Sequence, residues 1–305
     1  MDITANQKRQ RDKENIVWIV FALSAAFLAS FNPILYKRML KDADAVVVVW
    51  GVTLLALPLL GLFTFALTPQ LPSLDWLFVV GVLGSAGLNA IAHLASTRAL
   101  KLADVSLVTP LLIFSPVFTV LISALFLGEI PSALGFFGVV LVLIGAHWLN
   151  HDPATGWFAP IKSLDFTPAI VLVLLAGFLW AITPLFEKTA ILHTNPESPR
   201  FAAFAVDALL VIVLTPAVIA RGRPSIGKLF LHRREFFLAG LIAGIAPVLG
   251  YTAFSLGFVG YVTTLFKLST LMTMLWSFLF LKERGLAQRL PASLVMVIGV
   301  ILIAS

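Results

Sequence analysis

A lysine stands deep in one of the most apolar stretches of this chain, Lys267 in VGYVTTLFKLSTLMTMLWSFLFL, residues 259–281. A lysine at the centre of a hydrocarbon-embedded helix costs about 2.5–3.5 kcal/mol, so it needs a counter-charge or a wet cavity. In a cavity it would receive a substrate carboxylate or phosphate. In a packed interior it would form an ion pair, for which Asp207 in RFAAFAVDALLVIVLTP is the candidate. Asp207 could equally take up and release a coupling proton, the usual work of intramembrane carboxylates. Asn89 and His93 are four residues apart and share one face of a helix. A neutral imidazole offers a donor and an acceptor, suited to a zwitterion or a proton relay, or simply to a neighbouring carbonyl. Trp180 and Tyr251 are candidate wall residues, since an aromatic with a polar tip suits an amphipathic solute, although packing explains them as well.

The remaining polar residues read more blandly. Ser115 and Thr119, like Ser269 and Thr273, repeat at helical spacing and are expected to be interhelical contacts, with a place in the cavity lining as the alternative. Glu129 and Glu283 fall at helix–loop junctions, where exposed helix-end charges are expected and a gate-closing salt bridge is the alternative. Pro33, Pro110, Pro116, Pro184 and Pro247 each remove a backbone donor inside an apolar run, as hinges or as static bends. Gly135 and Gly138, and the Gly240–Gly244 pair, permit close helix contact and leave a homodimer open.

These residues must be held by membrane helices. Hydrophobic residues make up 60% of the chain and charged residues 12%, with a mean hydropathy of +1.01. A soluble domain carries about 25% charged residues, so this chain could not cover itself in water. The net charge of +6 is spread over short loops and does not point to nucleic acid. The absence of cysteine excludes disulfides, thiol catalysis and cysteine metal sites. No cofactor or metal is called for. Residues 1–15 read as a polar tail without a signal-peptide cleavage pattern.

The chain is written twice. A shift of 154 residues superposes Thr109 on Thr263, Thr119 on Thr273, Glu129 on Glu283 and Gly145 on Gly299. A shift of 151 pairs Pro33 with Pro184 and Lys37 with Lys188. At Lys267 the other copy has Ile113, so the duplicate carries no cation there. A span needs about 20 apolar residues, which gives candidates at 16–36, 45–67, 75–97, 104–127, 131–149, 168–190, 200–220, 236–257, 259–281 and 287–305. The expected fold is therefore all-α and integral to the membrane. It has ten transmembrane helices in two five-helix repeats, 16–149 and 168–305, joined by the loop 150–167. An odd number of helices per copy makes the repeats inverted, around a central cavity. Lys and Arg are more numerous on the face away from the termini, which on the charge rule alone puts both termini outside.

The segment SPVFTVLISALFLGEIPSALGFFGVVLVLIGAHWL, residues 115–149, with ALKLADVSLV before it, resembles the fourth and fifth helices of EamA-type drug/metabolite transporters. The resemblance covers nearly the whole chain. It implies a bacterial inner membrane and export of amino acids or related small metabolites. It implies a cavity lined by the first, third, fourth, sixth, eighth and ninth helices, with the seventh peripheral. It also implies cytoplasmic termini, against the charge count.

The expected function is a secondary transporter of small, carboxylate-bearing solutes by alternating access, driven by protons or by the solute gradient. Substrate binding would fall to Asn89, His93, Trp180, Tyr251 and Lys267. An exporter of hydrophobic cations is the alternative. It wants an unpaired carboxylate in the cavity, and the cavity-lining spans are expected to offer none. No P-loop, HExxH or GxSxG motif is present, which argues against ATP drive and against an enzyme. A channel or a non-transporting membrane scaffold is the reading from a different class.

Overall fold

In lipid every backbone polar group must be satisfied internally, so long apolar runs become helices. The computed structural model describes residues 17–67, 70–102, 115–150, 167–281 and 286–304, and they are almost wholly helical. The order is α1 (17–29), α2 (Asn32–Met39), α3 (Ala45–Leu67), β1 (Ser73–Leu74), α4 (Trp76–Leu102), α5 (Ser115–Phe126) and α6 (Ala133–Asn150). There follow α7 (Pro168–Leu192), β2 (Thr194–Asn195), α8 (Pro199–Ala217), α9 (Arg223–Leu229), α10 (Arg233–Leu256), α11 (Val259–Phe266), α12 (Leu268–Leu281) and α13 (Leu286–Ala304). Among the described residues, 6 stretches are long and apolar enough to cross a membrane, with shorter apolar helices at Ser115–Phe126, Ala133–Trp148 and Pro291–Ala304. Leu125 and Phe126 are 81% and 78% exposed. Large apolar side chains so displayed need lipid rather than water.

Two expected spans are interrupted. The first breaks at Ser30 and Phe31, and Pro33 stands in the first turn of α2, just past the break. The run 259–281 breaks at Lys267, which separates α11 from α12. By contrast Pro184 lies inside the continuous α7 and Pro247 inside the continuous α10. The expected loop 221–235 is instead filled by α9 and a short 3-10 turn leading into α10.

Starts and ends are specified locally. The Asp75 carboxylate accepts hydrogen bonds from the Leu77 (2.9 Å) and Phe78 (3.1 Å) amides, capping α4. Its other oxygen meets His193 Nδ1 at 2.6 Å, at the end of α7. That hydrogen bond holds the Asp75 carboxyl below the usual carboxylate range. Beside it β1 and β2 pair antiparallel, Ser73 with Asn195 and Leu74 with Thr194. One end of α4 is thus tied to one end of α7, and the two helices pack antiparallel along their length.

The duplication is visible in the contacts. Thr119 Oγ1 donates to the Ala181 carbonyl at 3.0 Å, and Thr273 Oγ1 donates to the Ser30 carbonyl at 2.7 Å. The two repeat shifts carry Thr119 onto Thr273 and Ser30 onto Ala181, so the bonds are copies with the halves exchanged. The last helices of the halves, α6 and α13, cross with backbone almost touching. A Cβ on Gly138 would lie 2.6 Å from the Gly299 carbonyl, and one on Gly145 would lie 2.8 Å from the Ala292 carbonyl. Contacts at 138–299 and 145–292 mean that these equivalent helices run antiparallel. Gly240 and Gly244 are also used within the chain, against Leu55 and Leu59 of α3. The sequence argument for a dimer through these glycines therefore falls away.

Candidate functional site

Small residues open the space in which the polar groups meet. Ala25, Ala26 and Ala29 of α1 form one wall of a cavity of about 290 Å³, opposite Asn89 of α4, Glu187 of α7, Asp207 of α8 and Tyr251 of α10. Phe266 and Ser269, on either side of the α11–α12 break, complete it. The antiparallel packing of α4 on α7 is close because Gly81 and Gly84 face Ala190 and Phe186, where a Cβ on Gly81 would lie 2.7 Å from the Ala190 amide nitrogen and one on Gly84 would run into the Phe186 ring. That approach delivers the next turn of α4 to Glu187.

Glu187 is the centre of the site. Its Oε1 accepts from Ser85 Oγ at 3.3 Å and from Asn89 Nδ2 at 3.5 Å, and Ser85 Oγ in turn accepts from Asn89 Nδ2 at 3.4 Å. The Tyr251 phenol lies against both Ser85 and Glu187. Asp207 lies within electrostatic range of Glu187, and Tyr36 of α2 within range of Asp207. Two carboxyl groups, an amide and two phenols thus converge from five helices. Such a set recognises an ammonium group through charge-assisted hydrogen bonds and can also hold a proton.

Glu187 was not foreseen. The expectation that the cavity-lining helices carry no carboxylate is wrong, and with it goes the argument against cationic solutes. The residue sits beside Lys188 near the foot of an apolar run, where a charged pair reads as a membrane-surface feature. The available signal was the run TAIL at 189–192, which continues the apolar pattern past Glu187 and leaves it within the helix, as α7 to Leu192 bears out. Asp207 too departs from expectation, since its helix contributes to the cavity instead of lying outside it.

The other candidates fall as follows. Asn89 and His93 share the face of α4 that meets α7, and the His93 ring packs edge-on against Trp180, with centroids 5.4 Å apart and planes at 76°. Tyr251 is buried and stacks edge-on against Phe254 at 6.3 Å. Lys267 is half-buried at the junction of α11 and α12, and its own amide donates to the Thr264 carbonyl at 3.0 Å. The charge acting on Asp207 is that of Glu187. Pro247 lines the cavity, Pro184 is buried one turn before Glu187, and Pro116 is buried in the first turn of α5. Pro110 and Glu283 lie outside the described residues.

Glu129 is a second correction, for it is no exposed helix end. It is 7% exposed and ion-paired with Lys188, while the Val259 amide donates to its other oxygen at 2.6 Å. The loop from Leu127 folds back through Gly128, at φ +67°, which a glycine adopts without strain. A larger hollow of about 580 Å³ between α4, α5 and α7 is lined by Phe126, Phe178 and Phe186. Among the described residues its one polar lining residue, Thr189, spends its hydroxyl on the Leu185 carbonyl.

Comparison with known proteins agrees with this architecture. No protein of curated description matches the chain. A solved structure, titled only as the crystal structure of a protein, shares 16% identity over 93% of this chain and 95% of its own, with a TM-score of 0.76. At that identity the likeness shows the fold. The EamA-like transporter family matches twice, at residues 16–150 and 167–305, once for each half of the duplication. Nearly the whole chain is covered, and it belongs to the EamA-like transporter family, membrane transporters of the drug/metabolite superfamily.

Proposed function

We propose that this protein is a secondary transporter of small amine-bearing metabolites, zwitterionic amino acids foremost. It works by alternating access across a bacterial inner membrane, in the direction of export. The observation that carries this reading is Glu187, held by Ser85 and Asn89 and facing Tyr251 and Asp207 in one cavity. The cavity of about 290 Å³ lies at the small end of ligand sites, typically about 300–1,000 Å³. It suits a metabolite of amino-acid size better than a bulky drug. In this reading the solute ammonium docks at Glu187, and its carboxylate is received at the helix break that Lys267 marks. Asp207 is the proton-exchanging group, and His93 with Trp180 forms the adjoining wall. The fold crosses the membrane ten times, as two inverted halves about the cavity.

A second reading, export of hydrophobic cations, draws support from the ring cluster at the same carboxylate. Phe254 packs edge-on against both Tyr251 and Phe266, at 6.3 and 5.6 Å. Aromatic faces attract cations that carry no carboxylate. Reconstituted vesicles separate the readings. Saturable, counterflow-competent uptake of amino acids, abolished by Lys267→Met, supports the zwitterion. Transport of quaternary amines untouched by Lys267→Met supports the cation exporter. Flux without saturation indicates a channel and refutes both. Asp207→Asn is expected to remove the response to an imposed pH gradient while leaving counterflow intact.

A further inference from the structure

Glu187 and Lys188 are consecutive, and they do different things. Successive helical residues point about 100° apart. Glu187 therefore enters the cavity while Lys188 reaches out of it, toward the end of α7 that carries the β1–β2 pair. There Lys188 Nζ pairs with Glu129 and donates to the Gly257 carbonyl at 2.9 Å. Glu129 in turn accepts from the Val259 amide at 2.6 Å. Glu129 belongs to the first half, on the loop after α5. Gly257 and Val259 form the turn between α10 and α11 in the second half. All four groups are drawn together over the same end of the cavity, because Tyr251 of α10 lies less than two turns before Gly257. Lys188 and Glu129 are only 12% and 7% exposed. Glu197, on the loop after β2, is the further acidic group acting on Lys188, and burial pushes its carboxyl above the usual range.

A buried, hydrogen-bonded ion pair is strongly destabilised when one partner is withdrawn, because the other is left as an uncompensated charge. It therefore makes a two-state contact. We propose that the Glu129–Lys188 pair, with Gly257 and Val259, is the latch that closes this face of the transporter. Its position one residue from Glu187 makes α7 the lever through which cavity occupancy and latch state act on each other. The inference rests on the transport reading of the cavity but not on which solute is carried. The duplication writes the same residue types again, since the repeat shifts carry Lys188 back to Lys37 and Glu129 onto Glu283. Alternating access needs a closing contact at each face in turn.

The absence of cysteine from the chain permits a direct test in the intact chain. Ala246→Cys places one thiol on the cavity wall, and an impermeant maleimide is applied from either face of oriented vesicles, without solute. Glu129→Gln and Lys188→Met are each expected to raise labelling from the β1–β2 face by about tenfold or more, and to lower or leave unchanged labelling from the other face. Lys188→Arg, which keeps the charge, should label as slowly as the parent. Unchanged labelling in both Glu129→Gln and Lys188→Met overturns the latch. So does an equal rise from both faces, which would show general loosening. Because no solute is present, failure here leaves the assignment of Glu187 standing, and a wrong solute assignment leaves the latch standing.

Discussion

Replacing Glu187 by glutamine removes one charge from the cavity while keeping the side chain's shape. Both hydrogen bonds from Ser85 and Asn89 end on Oε1, and a glutamine carbonyl turned the same way accepts them unchanged. What is lost is the carboxylate that a substrate ammonium would meet. A hydrogen bond to a charged partner contributes about 1.5–3 kcal/mol, which corresponds to roughly 10- to 150-fold in affinity. Glu187→Gln should therefore raise the half-saturating concentration for amine-bearing solutes by one to two orders of magnitude. Reconstituted counterflow measures this directly, because exchange without a gradient isolates binding from energy coupling. Asn89→Ala, which deletes two long hydrogen bonds, to Ser85 at 3.4 Å and to Glu187 at 3.5 Å, but leaves the carboxylate in place, should cost several-fold less. A shift below about twofold in Glu187→Gln, with the protein folded and monodisperse, would refute the view that this carboxylate receives the solute.

Three further outcomes follow from the architecture. Gly138→Leu puts its side chain into the Gly299 carbonyl, 2.6 Å from where a Cβ would begin. It should abolish a monodisperse species on size exclusion, whereas Gly87→Ala, with no atom within 4 Å, should be silent. Thr119→Val and Thr273→Val delete copies of the same bond and should each lower stability by about 0.6–1.7 kcal/mol in detergent unfolding. The Asp75 carboxyl is held low in the folded state by His193 and by the amides it caps. A depressed carboxyl stabilises fully above its unfolded value of about 3.9 and loses that contribution as pH falls through the lower folded value. The Tm gap between the parent and Asp75→Ala should accordingly be fully open above about pH 4 and close as the pH falls further.

Much of this arrangement was readable from local pattern. Asn89 and His93 share a face because four residues make roughly one turn, and that face does meet α7. Their spacing predicts interhelical contacts for Thr119 and Thr273, and they bond to the Ala181 carbonyl of α7 and to the Ser30 carbonyl at the first break. What escaped depended on partners distant in the chain. Glu129 looked like an exposed helix end because Lys188 and Val259, which bury it, lie 59 and 130 residues away. Glu187 was masked by Lys188, since the eye reads adjacent opposite charges as one surface pair, whereas a helix sends them to different sides. The breaks at Ser30 and Lys267 carry no glycine, and a proline follows only the first, so composition gave no sign of where the helix would yield.

That first break carries a thermodynamic consequence. Ser30 accepts from Trp276 Nε1 at 2.8 Å, and its hydroxyl hydrogen-bonds the Phe27 carbonyl. Its counterpart Ala181 has no hydroxyl and sits within an unbroken helix. A molecule made of two identical halves would dwell equally on either side of the membrane at zero voltage and zero gradient. Here the first helix of one half is jointed at Ser30 while its counterpart runs unbroken past Ala181, so on the alternating-access reading the two dwell times differ and the empty protein has a preferred side on which to wait.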